Sequence, residues 1–173
     1  MKSIVRLFLV WHIVLSRTLT SACEVGFVLH TVDFADFAAG DYVTVLPPND
    51  NMRVQATSHT GGYTRQGPRV YDSNSTGGAD SDLEVGVGNL LIIQETNKEE
   101  PDDNEDGGSI HFYFDATPVV LQSVTLVDNN IRSFVVCQRQ GQHVYYVPTP
   151  AVGHGVVKTT YTRRDKLVDH CRV

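Results

Sequence analysis

The chain has 173 residues, of which 41% are hydrophobic and 20% are charged. This is enough for one domain with a hydrophobic core and too little for two, and it excludes a disordered chain, collagen and a coiled coil. The formal net charge is −6, and the central sequence has no cluster of Lys and Arg. Nucleic acid and anionic membrane surfaces are therefore poor candidates as partners.

Residues 1–22 have the pattern of a secretory signal peptide. Lys2 and Arg6 form the charged start, a short apolar run follows, and the triplet at 20–22 offers small residues for cleavage. The apolar run is too short to cross a bilayer, and an uncleaved membrane anchor is the alternative. The sequence predicts a secreted, extracellular protein whose single domain spans residues 23–173.

The three cysteines are informative because an odd number of thiols in an oxidising compartment leaves one unpaired. Cleavage after residue 22 would make Cys23 the first mature residue, where a bacterial lipoprotein is acylated. We therefore expect membrane association only with an uncleaved signal or a lipidated Cys23. A bond between Cys23 and Cys171 would join the two ends of the domain. Cys137 would then be a buried free thiol in a strand. The sequence leaves the pairing open.

From residue 25 onward the chain has the pattern of β-strands. Apolar residues come in short runs between Gly, Pro, Asn and Asp, and no window of a dozen residues carries a helical stripe. In one run, Ile110, Phe112 and Phe114 alternate with His111 and Tyr113, as expected where one face of a sheet covers a core. The predicted strands are 25–32, 42–46, 52–58, 69–71, 89–95, 109–115, 119–128, 133–139, 143–147 and 156–161.

This succession of short strands predicts an all-β domain, with two antiparallel sheets stacked as a β-sandwich or jelly roll. The block 34–39 is compatible with one turn of helix, which would not change the fold class.

Carboxylates concentrate in the loops at 72–106, which hold eleven of the twenty acidic residues. Such a density resists compaction unless a cation offsets it. Residues 102–107 begin like an EF-hand loop, with oxygen ligands at alternate positions followed by Gly. The twelfth position is Tyr113 instead of Glu, and a strand follows instead of a helix. The segment is therefore not an EF-hand.

A second acidic turn carries Asp80 and Asp82 next to glycines that let backbone carbonyls approach an ion. Oxygen ligands on flexible loops of an extracellular protein favour calcium over zinc or magnesium. A solvated acidic loop that keeps the protein soluble is the alternative interpretation. Asn74 begins a glycosylation sequon in the same polar stretch, which supports an exposed loop.

Several separated blocks of the chain occur in the order YDS, TGGADSDL, GNLLIIQE, PDD and GGSIHFYF. They lie at 71–73, 76–83, 88–95, 101–103 and 107–114. Over residues 32–161 the chain resembles a poorly characterised secreted β-sandwich domain. That domain occurs in exported bacterial proteins, including those with PEP-CTERM sorting tails, and in extracellular proteins of marine organisms. The resemblance implies the fold but no established chemistry.

The resemblance also implies a set of metal-ligand candidates, because this chain matches the acidic positions of the family. They are Asp72, Asp80, Asp82, Glu95, Asp102 and Asp103. Asp128 matches an aspartate in the last shared strand. Members of the family continue with a further strand, whereas residues 162–173 depart from that pattern. We therefore expect the final strand to be missing or remodelled, which would leave a sheet edge open to a partner strand.

The sequence lacks the nucleophile elbow, the H-E-x-x-H zinc motif and a phosphate-binding glycine loop, so we expect no enzyme. Paired carboxylates could serve a glycoside hydrolase, which is the least favoured interpretation. The expected function is a non-catalytic, calcium-binding module of extracellular matrix or adhesion type, such as a component of a mineralised organic matrix. Its partners would be a matrix protein, a glycan or a mineral surface. The alternative is a calcium-dependent, lectin-like module whose tyrosines stack on sugars.

Overall fold

The computed structural model describes residues 10–19, 25–46, 52–59, 64, 66–76, 80–97, 100–104, 106–162 and 165–173. These residues form twelve β-strands and one 3-10 helix at Ser81–Leu83. The strands are β1 (Val10–Leu19), β2 (Val25–Val32), β3 (Val45–Leu46), β4 (Met52–Ser58), β5 (Arg69–Asp72), β6 (Asn89–Ile92), β7 (Gly108–Phe114), β8 (Val120–Val127), β9 (Ser133–Arg139), β10 (Gln142–Thr149), β11 (Val157–Tyr161) and β12 (His170–Arg172). The predicted all-β class is confirmed.

The strands form three antiparallel sheets. A four-stranded sheet has the order β11-β8-β1-β2, a six-stranded sheet has the order β10-β9-β12-β7-β4-β3, and β5 and β6 form a separate two-stranded ribbon. One cluster of buried side chains includes Leu121 and Val124 of β8 together with Ile110, Phe112 and Val135 of the six-stranded sheet. The two larger sheets therefore contribute to a common core.

Side chains in β7 alternate between buried and partly exposed positions, as the sequence predicts. Ile110, Phe112 and Phe114 are buried, whereas His111 and Tyr113 are partly exposed on the other face. Neighbouring β4 shows the same alternation between buried and exposed side chains. Full burial of a side chain such as Phe112 contributes about 1.5–3 kcal/mol of transfer free energy. The alternation thus fixes which face of the sheet covers the core.

Strand β1 lies inside the stretch that the sequence analysis assigns to a signal peptide. It pairs with β2 on one side and with β8 on the other. The cleavage site at 20–22 and Cys23 lie outside the described residues, so cleavage and lipidation stay predictions. Removal of residues 1–22 would take β1 out of the four-stranded sheet and leave the facing edges of β2 and β8 to be closed in another way.

Strand β12 corrects the expectation that the final strand is missing. It inserts between β7 and β9 and pairs with both. A disulfide bond joins Cys171 of β12 to Cys137, the residue directly opposite on β9, with 4.1 Å between the Cα atoms. Both cysteines are fully buried. Cys171 is therefore bonded to Cys137 and not to Cys23.

The block at 34–39 forms a turn and not the helical turn that its composition allows. The Phe37 N–H donates to the Phe34 carbonyl oxygen, and Phe34 adopts a positive φ of 60° while its ring is buried in the core. The side-chain amide of Asn89 donates to the carbonyl oxygens of both phenylalanines. The turn is thus fastened to the start of β6. Among the described residues, no helix has the length and hydrophobicity needed to span a membrane.

Candidate functional site

A small apolar cluster of its own holds the first acidic loop, at 80–84. Tyr71 of β5, Leu90 and Ile92 of β6, Val127 of β8 and Leu83 of the 3-10 helix are buried against one another. Leu83 is fully buried, so it anchors the 3-10 helix to the β5–β6 ribbon. Asp80 and Asp82, which come just before this anchor in the chain, therefore have fixed positions relative to the ribbon.

Two of the predicted ligands meet where the two acidic loops touch. The Asp103 N–H donates to Asp80 Oδ2 at 2.9 Å, and the Tyr71 hydroxyl donates to the Asp80 backbone oxygen at 2.9 Å. Asp80 is 8% exposed and Asp103 is 4% exposed. Burying a charged carboxylate costs free energy unless hydrogen bonds, a partner charge or a cation offset that cost.

The surroundings of the Tyr71 hydroxyl oppose the loss of its proton. Burial raises the pKa of Tyr71 to about 12, and the charges of four carboxylates act in the same direction. These are Asp80, Glu84, Asp103 and Asp72, in that order of effect. At neutral pH the phenol therefore keeps its proton and remains a hydrogen-bond donor to the loop. Asp72, Asp80 and Asp103 thus share one region, named here the Tyr71 junction.

The structure does not bring all six predicted ligands to one point. The Glu95 N–H donates to the Asp102 backbone oxygen at 2.9 Å. This backbone hydrogen bond joins the two ends of the second acidic loop. The side chains of Glu95 and Asp102 are partly exposed. Asp72 Oδ1 accepts the Asn74 N–H at 2.9 Å and so also stabilises the turn that carries the sequon. Asn74 is exposed, as the sequence predicts for a loop.

Asp82 belongs to a different cluster from Asp80, although only Ser81 separates them. Asp82, Asp128 and His154 each present one ligand atom, and these atoms lie within 4.8 Å of one another. His154 Nδ1 is 3.1 Å from Asp82 Oδ2 and 3.5 Å from Asp128 Oδ1. The sequence analysis did not select His154 as a ligand. The signal that could have found it is the pair of glycines, Gly153 and Gly155, on either side of it.

A row of stacked rings covers the outer face of the six-stranded sheet. The rings of Tyr113 and His170 are 4.5 Å apart, those of His111 and His170 are 5.4 Å apart, and Arg53 lies over Tyr113. His111 Nδ1 is 3.2 Å from His170 Nε2. Desolvation, with smaller contributions from the charges of His170 and Arg172, lowers the pKa of His111 to about 4. His111 is therefore neutral at physiological pH.

A groove of about 340 Å³ runs beside β9 and β10. Its lining includes Phe134 and Tyr146, whose rings stack with their centroids 4.4 Å apart, and Arg132, whose guanidinium lies over Phe134. Tyr146 is 55% exposed, whereas the neighbouring Tyr145 is buried in the core. Of these two adjacent tyrosines, only Tyr146 can offer a ring face to a ligand.

Comparisons of the chain with protein-family models, with curated proteins and with solved structures find no match. The resemblance to a secreted β-sandwich domain therefore stays a prediction.

Proposed function

We propose that this protein is a secreted, non-catalytic β-sandwich module of an extracellular matrix or adhesion layer, in which calcium joins the two acidic loops at the Tyr71 junction. The observation that carries the proposal is the contact between Asp80 and Asp103. These two buried carboxyl-bearing residues come from separate loops, and one donates its backbone N–H to the carboxylate of the other.

The donor set at the junction suits calcium. Calcium takes six to eight oxygen ligands at about 2.3–2.6 Å and accepts carboxylates, carbonyls and water. The carboxylates of Asp80 and Asp103 would be the central ligands, and Asp72 and Glu84 lie near enough to affect the same phenol. A divalent cation would offset the cost of burying these charges, and it would hold the two loops in one arrangement.

Other features support the remaining parts of the proposal. The buried bond between Cys137 and Cys171 supports an oxidising compartment, because such bonds persist mainly outside the cytosol. A core shared by the two larger sheets supports a sandwich architecture. Asp80 and Asp103 are almost fully buried where the two acidic loops touch, which suits a structural ion better than a substrate. A matrix protein, a glycan or a mineral surface would then bind to the ordered loops.

Calcium titration by calorimetry, with thermal melting in calcium and in excess chelator, tests the proposal. At a calcium concentration of 100 times Kd we expect about 2.7 kcal/mol of stabilisation, or about 5–10 °C in Tm for a chain of this size. The Asp80→Asn/Asp103→Asn variant should lose the binding event, because the amides carry no negative charge. Its loops should keep their contact, since the amide oxygen at position 80 can still accept the N–H of residue 103. Asp36→Asn, at an exposed position, is the matched control. Equal melting temperatures in calcium and chelator would refute the proposal.

The exposed ring of Tyr146 favours a second candidate function, the binding of a glycan in the groove beside β9 and β10. Aromatic faces stack on the apolar faces of sugar rings, and Arg132 adds a donor for acidic sugars. A glycan array should show binding that Tyr146→Ala abolishes. Tyr161→Ala changes a tyrosine that is 65% exposed on β11 and serves as the control. An array without signal for the wild-type protein would exclude this candidate.

A further inference from the structure

We propose that Asp82, Asp128 and His154 form a second metal site, distinct from the Tyr71 junction, which takes a zinc-like divalent transition metal instead of calcium. Three separate segments converge on this site: the 3-10 helix, the end of β8 and the 153–155 loop. The three ligand atoms lie within 4.8 Å of one another, so one ion can reach all of them with little movement.

Asp128 is the fixed member of the site. Its side chain is fully buried, and its φ of 53° places it in the left-handed region at the end of β8. The Gly155 N–H donates to Oδ1 at 2.9 Å, and the Asn130 amide donates to Oδ2 at 3.2 Å. Such outer hydrogen bonds orient a ligating carboxylate while leaving lone pairs for the metal. The carboxylate is thus held in place before any ion binds.

His154 is brought to the carboxylates by its loop. Backbone hydrogen bonds from Val152 to Asn129 and from Asp128 to Val156 fasten the loop on both sides of the histidine. Both glycines that flank it, Gly153 and Gly155, have a positive φ, which lets the backbone curl around the aspartate. The imidazole itself is 68% exposed, so an ion and its remaining water ligands can enter from solvent.

The spacing of the ligand atoms fits a small transition metal. Zinc bonds of about 2.0–2.1 Å in tetrahedral geometry separate ligand atoms by about 3.3 Å. The two distances from His154 Nδ1, 3.1 Å to Asp82 and 3.5 Å to Asp128, lie on either side of this value. An imidazole nitrogen suits zinc, copper or nickel, whereas calcium prefers oxygen ligands. Three protein ligands leave a fourth position for water.

The alternative without a metal is an ion pair between protonated His154 and the two aspartates. The two cases differ in what they predict for a neutral substitution. If the three residues form only an ion pair, loss of the exposed His154 imidazole has no zinc binding to affect. Loss of one of three ligands should weaken zinc binding by more than about 100-fold, because loss of an outer partner alone costs 10–100-fold.

Calorimetric titration of the metal-free full chain with zinc chloride tests the inference, first without calcium and then in saturating calcium. We expect one zinc event that His154→Gln and Asp82→Asn each abolish and that Asn130→Ala weakens by about 10–100-fold. His143→Gln, at an exposed position on β10, should keep the event. So should the Asp80→Asn/Asp103→Asn variant, which separates this site from the Tyr71 junction.

Three results would overturn the inference. They are the lack of any zinc event in the wild-type chain, an unchanged event in His154→Gln, and a calcium event that Asp82→Asn abolishes but His154→Gln leaves intact. The last result would assign the site to calcium. Thermal melting of each variant without metal shows whether it is folded, so a loss of binding through unfolding is recognised.

Discussion

Removal of the bond between Cys137 and Cys171 should strongly destabilise the protein. The bond closes a loop with a sequence separation of 34 residues. The loop-closure entropy of a chain of that length corresponds to about 3.8 kcal/mol at 25 °C. Because total stabilities of domains are about 5–15 kcal/mol, the Cys137→Ala/Cys171→Ala variant should lose a large share of its free energy of unfolding.

Urea denaturation followed by far-ultraviolet circular dichroism measures this loss. We expect a lower midpoint and a somewhat larger m-value, because the unfolded chain without the bond exposes more surface. Cys23→Ala is the matched control, because Cys171 is already bonded to Cys137, and it should leave the midpoint unchanged. A loss below about 1 kcal/mol in the double variant, or an equal loss in the control, would refute the assignment of the bond.

Three further predictions concern the six-stranded sheet, and urea denaturation measures each. Gly108→Ala should destabilise strongly, since its new Cβ would lie 2.0 Å from the Thr57 carbonyl oxygen; wild-type stability would contradict the close approach of β4 and β7. Phe112→Ala should cost about 3–5 kcal/mol because the ring is fully buried; a loss below about 1 kcal/mol would contradict that burial. The pKa of His111 is lowered to about 4 and that of His170 is lowered too, so the folded state resists protonation. The contribution of His111 to stability should be constant above about pH 6.5 and fall between about pH 6.5 and 4, by about 1–2 kcal/mol after a discount for solvent screening. His111→Gln should flatten this slope, and an unchanged slope would contradict the assignment.

The sequence predicts the strands well where local pattern determines them. The bounds of β2, β4 and β9 agree with the prediction, and the alternation in β7 gives the correct buried face. These strands have enough alternating or β-branched residues to show their period. β12 has only three residues, too few to show a pattern, and nothing in the sequence indicates that it inserts between β7 and β9. The pairing of Cys137 with Cys171 depends on that insertion and so could not be predicted.

The candidate sites depend on contacts that are distant along the chain. Composition alone identifies the acidic loops, but it treats Asp80 and Asp82 as one turn. The structure separates them because Leu83 anchors the 3-10 helix and directs the two aspartates to different neighbours. Asp82 and His154 are 72 positions apart, and only the order of the strands brings them together. No local pattern contains that information.

The position of β12 has a consequence for biosynthesis. A nascent chain that has emerged only as far as β11 already contains β7 and β9, but the strand that joins them is still inside the ribosome. The facing edges of β7 and β9 then offer unsatisfied backbone groups to any passing polypeptide. The six-stranded sheet can close only after residue 172 has emerged, and a chaperone that delays premature pairing of β7 and β9 would raise the yield of folded protein.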